Sequence, residues 1–318
     1  MRAVLRLLLP ILLLLVLSPQ PVFAVDVPEA QVSIFDAARV DAEAKRYLDA
    51  EKKLADVLKA APASRDARVL LAAVYTEEYR DDDARKLLDE VLKEAPDHVE
   101  ALFNLARLEY YRKDLDKAAA LFKRVAEKDA TNPAAHYYLG EIAWAAYKDD
   151  VAEKEYKAAL AIAPTYPKPW YPLSFLYYKQ KKYALAEEHA QKGLAAEPED
   201  FRCLNLLGLV YYETYKDAEA EKHFRLALKA NPGFGFGWFN VGMLFYSQQK
   251  LDQAKENFEK ALTFFDPKAE AGNIEKTRDY LKKIDALKKG GKVDEATDPI
   301  KKLGNPSPRK GNEGRPSR

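Results

Sequence analysis

The sequence predicts an all-α chain, an α-solenoid of tandem helix pairs, and three observations carry that reading. Pro62, Pro96, Pro164, Pro198 and Pro232 are separated by 34, 68, 34 and 34 residues, and a fixed period of this size marks a repeat array. A 34-residue frame opened at Gln31 then puts alanine at its twentieth column seven times running, at Ala50, Ala84, Ala118, Ala152, Ala186, Ala220 and Ala254. Composition agrees: 32% charged, 48% hydrophobic and only 13 glycines in 318 residues suit helices in water.

The chain opens with an element outside that pattern. Arg2 and Arg6 precede the eleven-residue apolar run LLLPILLLLVL, and SPQPVFA follows. This is the layout of a secretory signal, with Val22 and Ala24 at the positions a signal peptidase reads, so cleavage is expected after Ala24. A membrane span needs roughly 20 apolar residues, and Arg6, Pro19 and Pro21 leave too few. No span is therefore expected after cleavage. Cys203 is the sole cysteine, so an exported chain must hold itself together by packing, with Cys203 as a small buried hydrophobe. The absence of an Asn-x-Ser/Thr acceptor with an allowed middle residue favours the periplasm of a Gram-negative bacterium, with secretion as the second reading.

After a short linker, 25–30, come seven units with no insertion: 31–64, 65–98, 99–132, 133–166, 167–200, 201–234 and 235–268. Column 8 is always small, reading Ala38, Ala72, Ala106, Gly140, Ser174, Gly208 and Gly242, and column 10 is always aliphatic. Small side chains at columns 8 and 20 allow the two helices of a unit to approach closely. Asp82, Asp116, Asp150 and Asp252 recur at column 18, where a carboxylate suits the start of a second helix. Proline at column 32 falls after that helix ends. Pro172 costs about 3 kcal/mol in a helix interior, so the first helix of 167–200 is expected to start late. Residues 269–289 carry Ile274, Leu281, Ile284 and Leu287 at helical spacing and give a capping helix, ended by Gly290-Gly291. The remainder, 290–318, has seven Lys/Arg against four Asp/Glu and no periodicity, and reads as a disordered basic tail.

These columns resemble the tetratricopeptide repeat family. Unit 201–234 carries the resemblance most fully, with Leu204, Leu207, Gly208, Tyr211, Ala220, Phe224, Ala227 and Pro232, and unit 133–166 keeps Leu139, Gly140, Ala152, Tyr156, Ala159 and Pro164. Unit 31–64 departs most, having Asp41 where the family prefers Tyr and Ala37 where it prefers Leu. The resemblance implies a right-handed solenoid whose first helices line a concave groove through columns 2, 5, 9, 12 and 13. It places Phe103, Tyr137, Tyr171 and Phe239 (column 5), Arg107, Phe175 and Met243 (column 9), and Tyr110, Trp144, Tyr178, Tyr212 and Tyr246 (column 12) in that groove. Five consecutive aromatics in column 12 would form an apolar wall larger than soluble monomers usually expose. In the helix HYYLGEIAWAAY, Tyr137 and Trp144 are then groove residues, whereas Tyr138 and Tyr147 are not.

Catalytic chemistry is not legible. The four histidines form no HxxxH, His189 and His223 share column 23 without a third ligand, and no phosphate loop or nucleophile elbow occurs. The Asp81-Asp82-Asp83 and Asp149-Asp150 runs lack calcium-loop spacing and read as helix caps. No enzyme, metal or cofactor is expected, and a net charge of +1 gives no field for nucleic acid. The expected role is a scaffold outside the cytosol, holding an extended or helical apolar segment of another envelope or exported protein. The carboxylate-clamp mode of some family members is disfavoured by Phe103, Tyr171 and Pro172 at clamp columns. Glycan binding in polysaccharide export or envelope assembly is the alternative, and self-association into a homo-oligomer through the groove is a third.

Overall fold

The computed structural model describes residues 26–268 and 270–290, so the leader, 1–24, and the tail beyond Gly290 lie outside the described residues. Fifteen α-helices and no strand occur among them. The described residues up to Ala118 form one compact unit and those from Ala119 a second. The first holds α1 (Glu29–Glu43), α2 (Tyr47–Ala60), α3 (Arg65–Glu77), α4 (Asp81–Glu94) and α5 (Val99–Tyr111), and α6 (Leu115–Lys128) bridges the division. The second holds α7 (Pro133–Ala145), α8 (Asp149–Ile162), α9 (Trp170–Lys179), α10 (Tyr183–Ala196), α11 (Phe201–Glu213), α12 (Asp217–Ala230), α13 (Gly235–Ser247), α14 (Leu251–Phe264) and α15 (Ala271–Lys288). Every 34-residue frame thus contains two helices, and within each compact unit a first helix packs on its own second helix and on the second helix before it.

Two chemical devices set the helix ends. The residue before a first helix caps it: Ser64, His98, Asn132 and Asp200, all in column 34, accept backbone N–H groups of the first turn. Between the helices the chain turns through a left-handed residue at column 15 in all seven repeats, at Lys45, Tyr79, Lys113, Tyr147, Lys181, Tyr215 and Gln249. None is glycine, although glycine is the residue that takes this conformation without strain. The aspartates of Asp81–Asp83 and Asp149-Asp150 are not caps: Arg80 and Lys148 stand at the cap position, and the carboxylates occupy the first turn, where they act on the helix dipole.

Close approach explains the small columns. A Cβ on Gly140 would lie 2.6 Å from the Tyr156 ring, on Gly208 2.4 Å from Phe224, and on Gly242 2.7 Å from Phe258. Gly237, which opens the last unit, serves the same end, since a Cβ there would come within 2.7 Å of Leu228. α9 does start late, at Trp170, with Pro172 in its first turn. α15 matches the expected capping helix to within two residues and ends at Gly290, whose φ is +75°.

The linker reading of 25–30 needs correction. α1 already starts at Glu29, Val27 is buried in the first core, and Asp26 reaches 40 residues along the chain. Its carboxylate accepts from the Arg65 N–H at 2.8 Å, the Asp66 N–H at 3.1 Å and the Ser64 hydroxyl at 2.8 Å. Asp26 thereby caps α3 from outside it.

Ties between neighbouring repeats recur at a fixed offset. The column 11 tyrosine donates its hydroxyl to the column 21 glutamate of the previous repeat: Tyr75 to Glu51 at 3.0 Å, Tyr177 to Glu153 at 3.0 Å, and Tyr211 to Glu187 at 2.7 Å. A cation at column 16 lies over the same ring, with Arg80 3.7 Å from the Tyr75 centroid and Lys216 5.4 Å from that of Tyr211. At Glu109 the tie is inverted: the acid is in column 11, and Arg85 in column 21 reaches it at 2.6 Å. In the first repeat Asp41 fills column 11 and is held by Arg46 and Lys53, which explains its departure from tyrosine.

Candidate functional site

The candidate surface lies on the first helices, and the two compact units present it differently. In the first, Phe103, Arg107 and Tyr110 are half-buried along α5. Arg107 pairs with Glu77 and lies 5.7 Å from the Tyr111 ring centroid, and the Lys113 ammonium stands 6.0 Å from that of Tyr110. Arg107 and Lys113 make this part of the surface polar, with both charges engaged within the chain.

In the second unit the expected open wall is a closed layer. Trp144, Tyr178 and Tyr212 are 6, 8 and 6% exposed, and Phe175, Phe239 and Tyr246 are buried as fully. The cause is lateral packing of rings from successive first helices: Trp144 meets Phe175 edge-on at 5.8 Å, and Phe175 lies between Tyr171 at 6.0 Å and Tyr178 at 6.1 Å. The last repeat is sealed by α15, whose Tyr280 stacks on Phe258 at 5.3 Å and meets Tyr246 and Phe239 at 5.3 and 6.0 Å. Tyr138 is core, stacked on Phe122 at 4.7 Å, whereas Tyr147 is 80% exposed at its left-handed turn.

Of the expected groove residues in this unit, Tyr137, Tyr171 and Met243 stay partly exposed. Polar groups from groove columns 9 and 2 gather beside the first two. Glu141 accepts the Tyr156 hydroxyl at 2.5 Å, and burial pushes its carboxyl up, against the opposing effect of that bond and of the Arg202 charge. Arg202 is held by Asp200 through Nε at 3.0 Å and Nη2 at 2.9 Å and lies over the Tyr171 ring at 5.4 Å. Burial raises the Tyr171 phenol. The exposed Lys168 places its ammonium 5.8 Å from the Tyr137 centroid and 5.9 Å from that of Tyr138. Arg202 and Lys168 both occupy column 2, a groove column, so their position was available from the period; the gathering of their charges beside two tyrosines was not.

Cys203 is buried, with its thiol pushed up by that burial. The His189 and His223 rings lie tilted against those of Tyr177 and Tyr211, each with centroids 5.0 Å apart. Among the described residues no cluster of His, Cys, Asp or Glu is placed to hold a metal ion, and no helix is long and apolar enough to cross a membrane.

Tetratricopeptide repeat models match residues 80–133, 103–167 and 175–233, and another matches 237–264. Together they span more than half of the chain, which belongs to the tetratricopeptide repeat family, whose arrays generally serve as protein-interaction scaffolds. Among solved structures, the chain is similar to PilF of Pseudomonas aeruginosa, with 19% identity, a TM-score of 0.57, and 64% of this chain and 93% of that one covered. It also resembles a tetratricopeptide repeat protein of Parabacteroides merdae, at 15% identity and a TM-score of 0.55, covering 80 and 98%. The Cut9–Hcn1 assembly of the APC/C gives 18% identity and a TM-score of 0.60, covering 76% of this chain but 47% of that one. At these identities the likeness is one of fold. No curated protein matches the sequence.

Proposed function

We propose that the protein is a non-enzymatic scaffold that works outside the cytosol and holds an extended or helical segment of another envelope or exported protein against its first helices. The observation that carries this reading is the partial exposure of Tyr137 and Tyr171 beside an otherwise closed aromatic layer. Buried aromatics with accessible edges are the usual anchors of protein interfaces. The leader-like start of the sequence supports the location. Self-association and glycan binding are separated from this reading by the test.

The experiment is a comparative pull-down from envelope extract. Alanine at Trp144, Tyr178 or Tyr212 would open the core, so the variant is Tyr137→Ala/Tyr171→Ala, compared with the native protein at equal helicity by circular dichroism. Loss of a captured protein from the variant supports the scaffold. Elution of the captured material by soluble sugar, or an array that only captures itself, overturns it. A reporter fused after residue 30 tests the location by its activity across the membrane.

A further inference from the structure

The turns that join the two helices of each pair carry a chemistry of their own. In the second compact unit they read Ala146-Tyr147-Lys148, Gln180-Lys181-Lys182, Thr214-Tyr215-Lys216 and Gln248-Gln249-Lys250. Successive helices pack side by side there, so the four turns share one edge of that unit. They hold five lysines and no acid, and all five lysines are exposed. Three of them also lie over a ring of their own pair, Lys182 over Tyr177 at 5.9 Å, Lys216 over Tyr211 at 5.4 Å and Lys250 over Phe245 at 5.6 Å. Their stems rest on the protein while the ammonium groups stay in water.

The acids nearby stand behind the turns, in the first turn of the second helices. Asp149 pairs with Lys179 at 3.5 Å, Asp252 is held by Lys288, and Asp217 accepts from the Gln248 amide at 3.1 Å, while Asp150 and Glu219 are exposed. The loops between repeats, at the other end of the helices, mix their signs instead, with Lys168 and Lys268 against Glu197, Glu199 and Asp266. The cationic edge is therefore a local feature that a net charge of +1 conceals.

Two tyrosines on the same edge are the second observation. Tyr147 and Tyr215 are 80 and 46% exposed at φ +59° and +60°. A bulky residue in the left-handed region strains the backbone where glycine would not, and little burial offsets that here. Val151 and Leu185, in the first turns of α8 and α10, add exposed apolar surface beside them. A ring with a wet hydroxyl, set among lysines, suits the boundary between water and lipid headgroups.

We propose that this edge docks on the surface of an anionic phospholipid membrane, with the turn lysines against headgroup phosphates and the Tyr147 and Tyr215 rings in the interface. Lysines close to an anionic bilayer are drawn to it, and salt weakens the attraction. A soluble anionic polymer would satisfy the lysines, but Val151 and Leu185 gain only from an apolar phase. Tyr137 and Tyr171 lie about 15 Å back along the same first helices, so the edge is separate from the surface proposed for a partner segment.

The test is co-sedimentation of the purified protein, residues 25–318, with vesicles of phosphatidylcholine alone and of phosphatidylcholine mixed with phosphatidylglycerol. Binding is expected on the anionic vesicles only, and it should weaken as salt is added. Lys148→Gln/Lys181→Gln removes the two lysines outside the ring contacts, and glutamine already takes the left-handed turn position at Gln249. Each lost charge should weaken vesicle binding about fivefold. Tyr147→Gly/Tyr215→Gly relaxes the backbone, so the unfolding midpoint should not fall, yet vesicle affinity should drop about tenfold. Equal sedimentation with both vesicle types, none with either, or anionic binding that either double variant retains in full overturns the proposal. Capture of soluble alginate without vesicle binding also overturns it, and makes the edge a polysaccharide site. The scaffold reading is decided separately, by its own pull-down.

Discussion

At the scale of single residues, the repeat is written in pairs. In three repeats an aromatic ring at column 24 faces a glycine at column 8, Gly140 under Tyr156, Gly208 under Phe224 and Gly242 under Phe258, whereas the repeat of Phe122 has Ala106 at column 8. Where column 24 is Leu54 or Leu88, column 8 is Ala38 or Ala72. Gly208→Ala is therefore expected to destabilise by about 1–3 kcal/mol through overpacking, seen as a lower urea midpoint. Adding Phe224→Leu should recover part of that loss, since the double variant copies the Ala72/Leu88 pairing. The left-handed turns make the opposite prediction. Lys181→Gly should raise stability by about 1 kcal/mol because φ is +60° there, whereas Lys181→Ala should change little. Small residues were visible in the sequence; the close approach of the Tyr156, Phe224 and Phe258 rings to Gly140, Gly208 and Gly242 was not. Column 15 gave no warning, since lysine, tyrosine and glutamine there do not announce a left-handed turn.

At the scale of elements, cohesion between successive helix pairs rests on apolar packing plus the column 11 to column 21 ties. The inverted tie tests their weight. Glu109 is 3% exposed and Arg85 31%, so Arg85→Ala strands a buried carboxylate and is expected to cost about 2–4 kcal/mol. Adding Glu109→Gln should return much of it, because the charge and not the shape is the difficulty. The Asp26 clasp on α3 gives a pH prediction. Its hydrogen bonds overcome the opposing effect of burial and hold the carboxyl down at about 2, below the ordinary 3.8. A carboxylate lowered on folding stabilises above its unfolded pKa, and that contribution fades as pH falls through the folded one. After allowance for partial exposure, Asp26→Asn should cost about 1–2 kcal/mol at neutral pH. The gap between native and variant unfolding midpoints should close between about pH 4 and pH 2; a gap independent of pH would show that the clasp acts by packing alone. Neither device was legible beforehand. A tie across 24 residues or a cap supplied from 40 residues away depends on how helices stack, and 25–30 read as a linker because it precedes the first unit of the 34-residue frame.

At the scale of the molecule, the period without insertion made the helix pairs, the late start of α9 and the closing helix readable, since each follows from spacing and from the chemistry of proline and glycine. The candidate site was less readable. Column assignment tells which side of a helix a residue occupies, but not whether neighbouring helices bring their rings together and exclude water. Trp144, Phe175 and Tyr178 close on one another for that reason, and the accessible part shrinks toward Tyr137 and Tyr171. The same logic makes the end of the array a critical place. In a repeat stack each pair buries its apolar face on the next, so the last pair needs a terminal element. Here Tyr280 of α15 covers Phe239, Tyr246 and Phe258, and Ile284 is fully buried in the same core. Ending the chain at Lys268 would expose that set, and burying each large side chain is worth about 1.5–3 kcal/mol. The truncated protein is expected to melt at lower temperature and to self-associate in a concentration-dependent way by light scattering. The milder Tyr280→Ala/Ile284→Ala variant should shift in the same direction by a smaller amount. If the truncated protein stayed monodisperse with an unchanged midpoint, α15 would be an appendage rather than the seal of the aromatic layer, and the closure of the layer at that end would have to come from the rings of α13 and α14 alone.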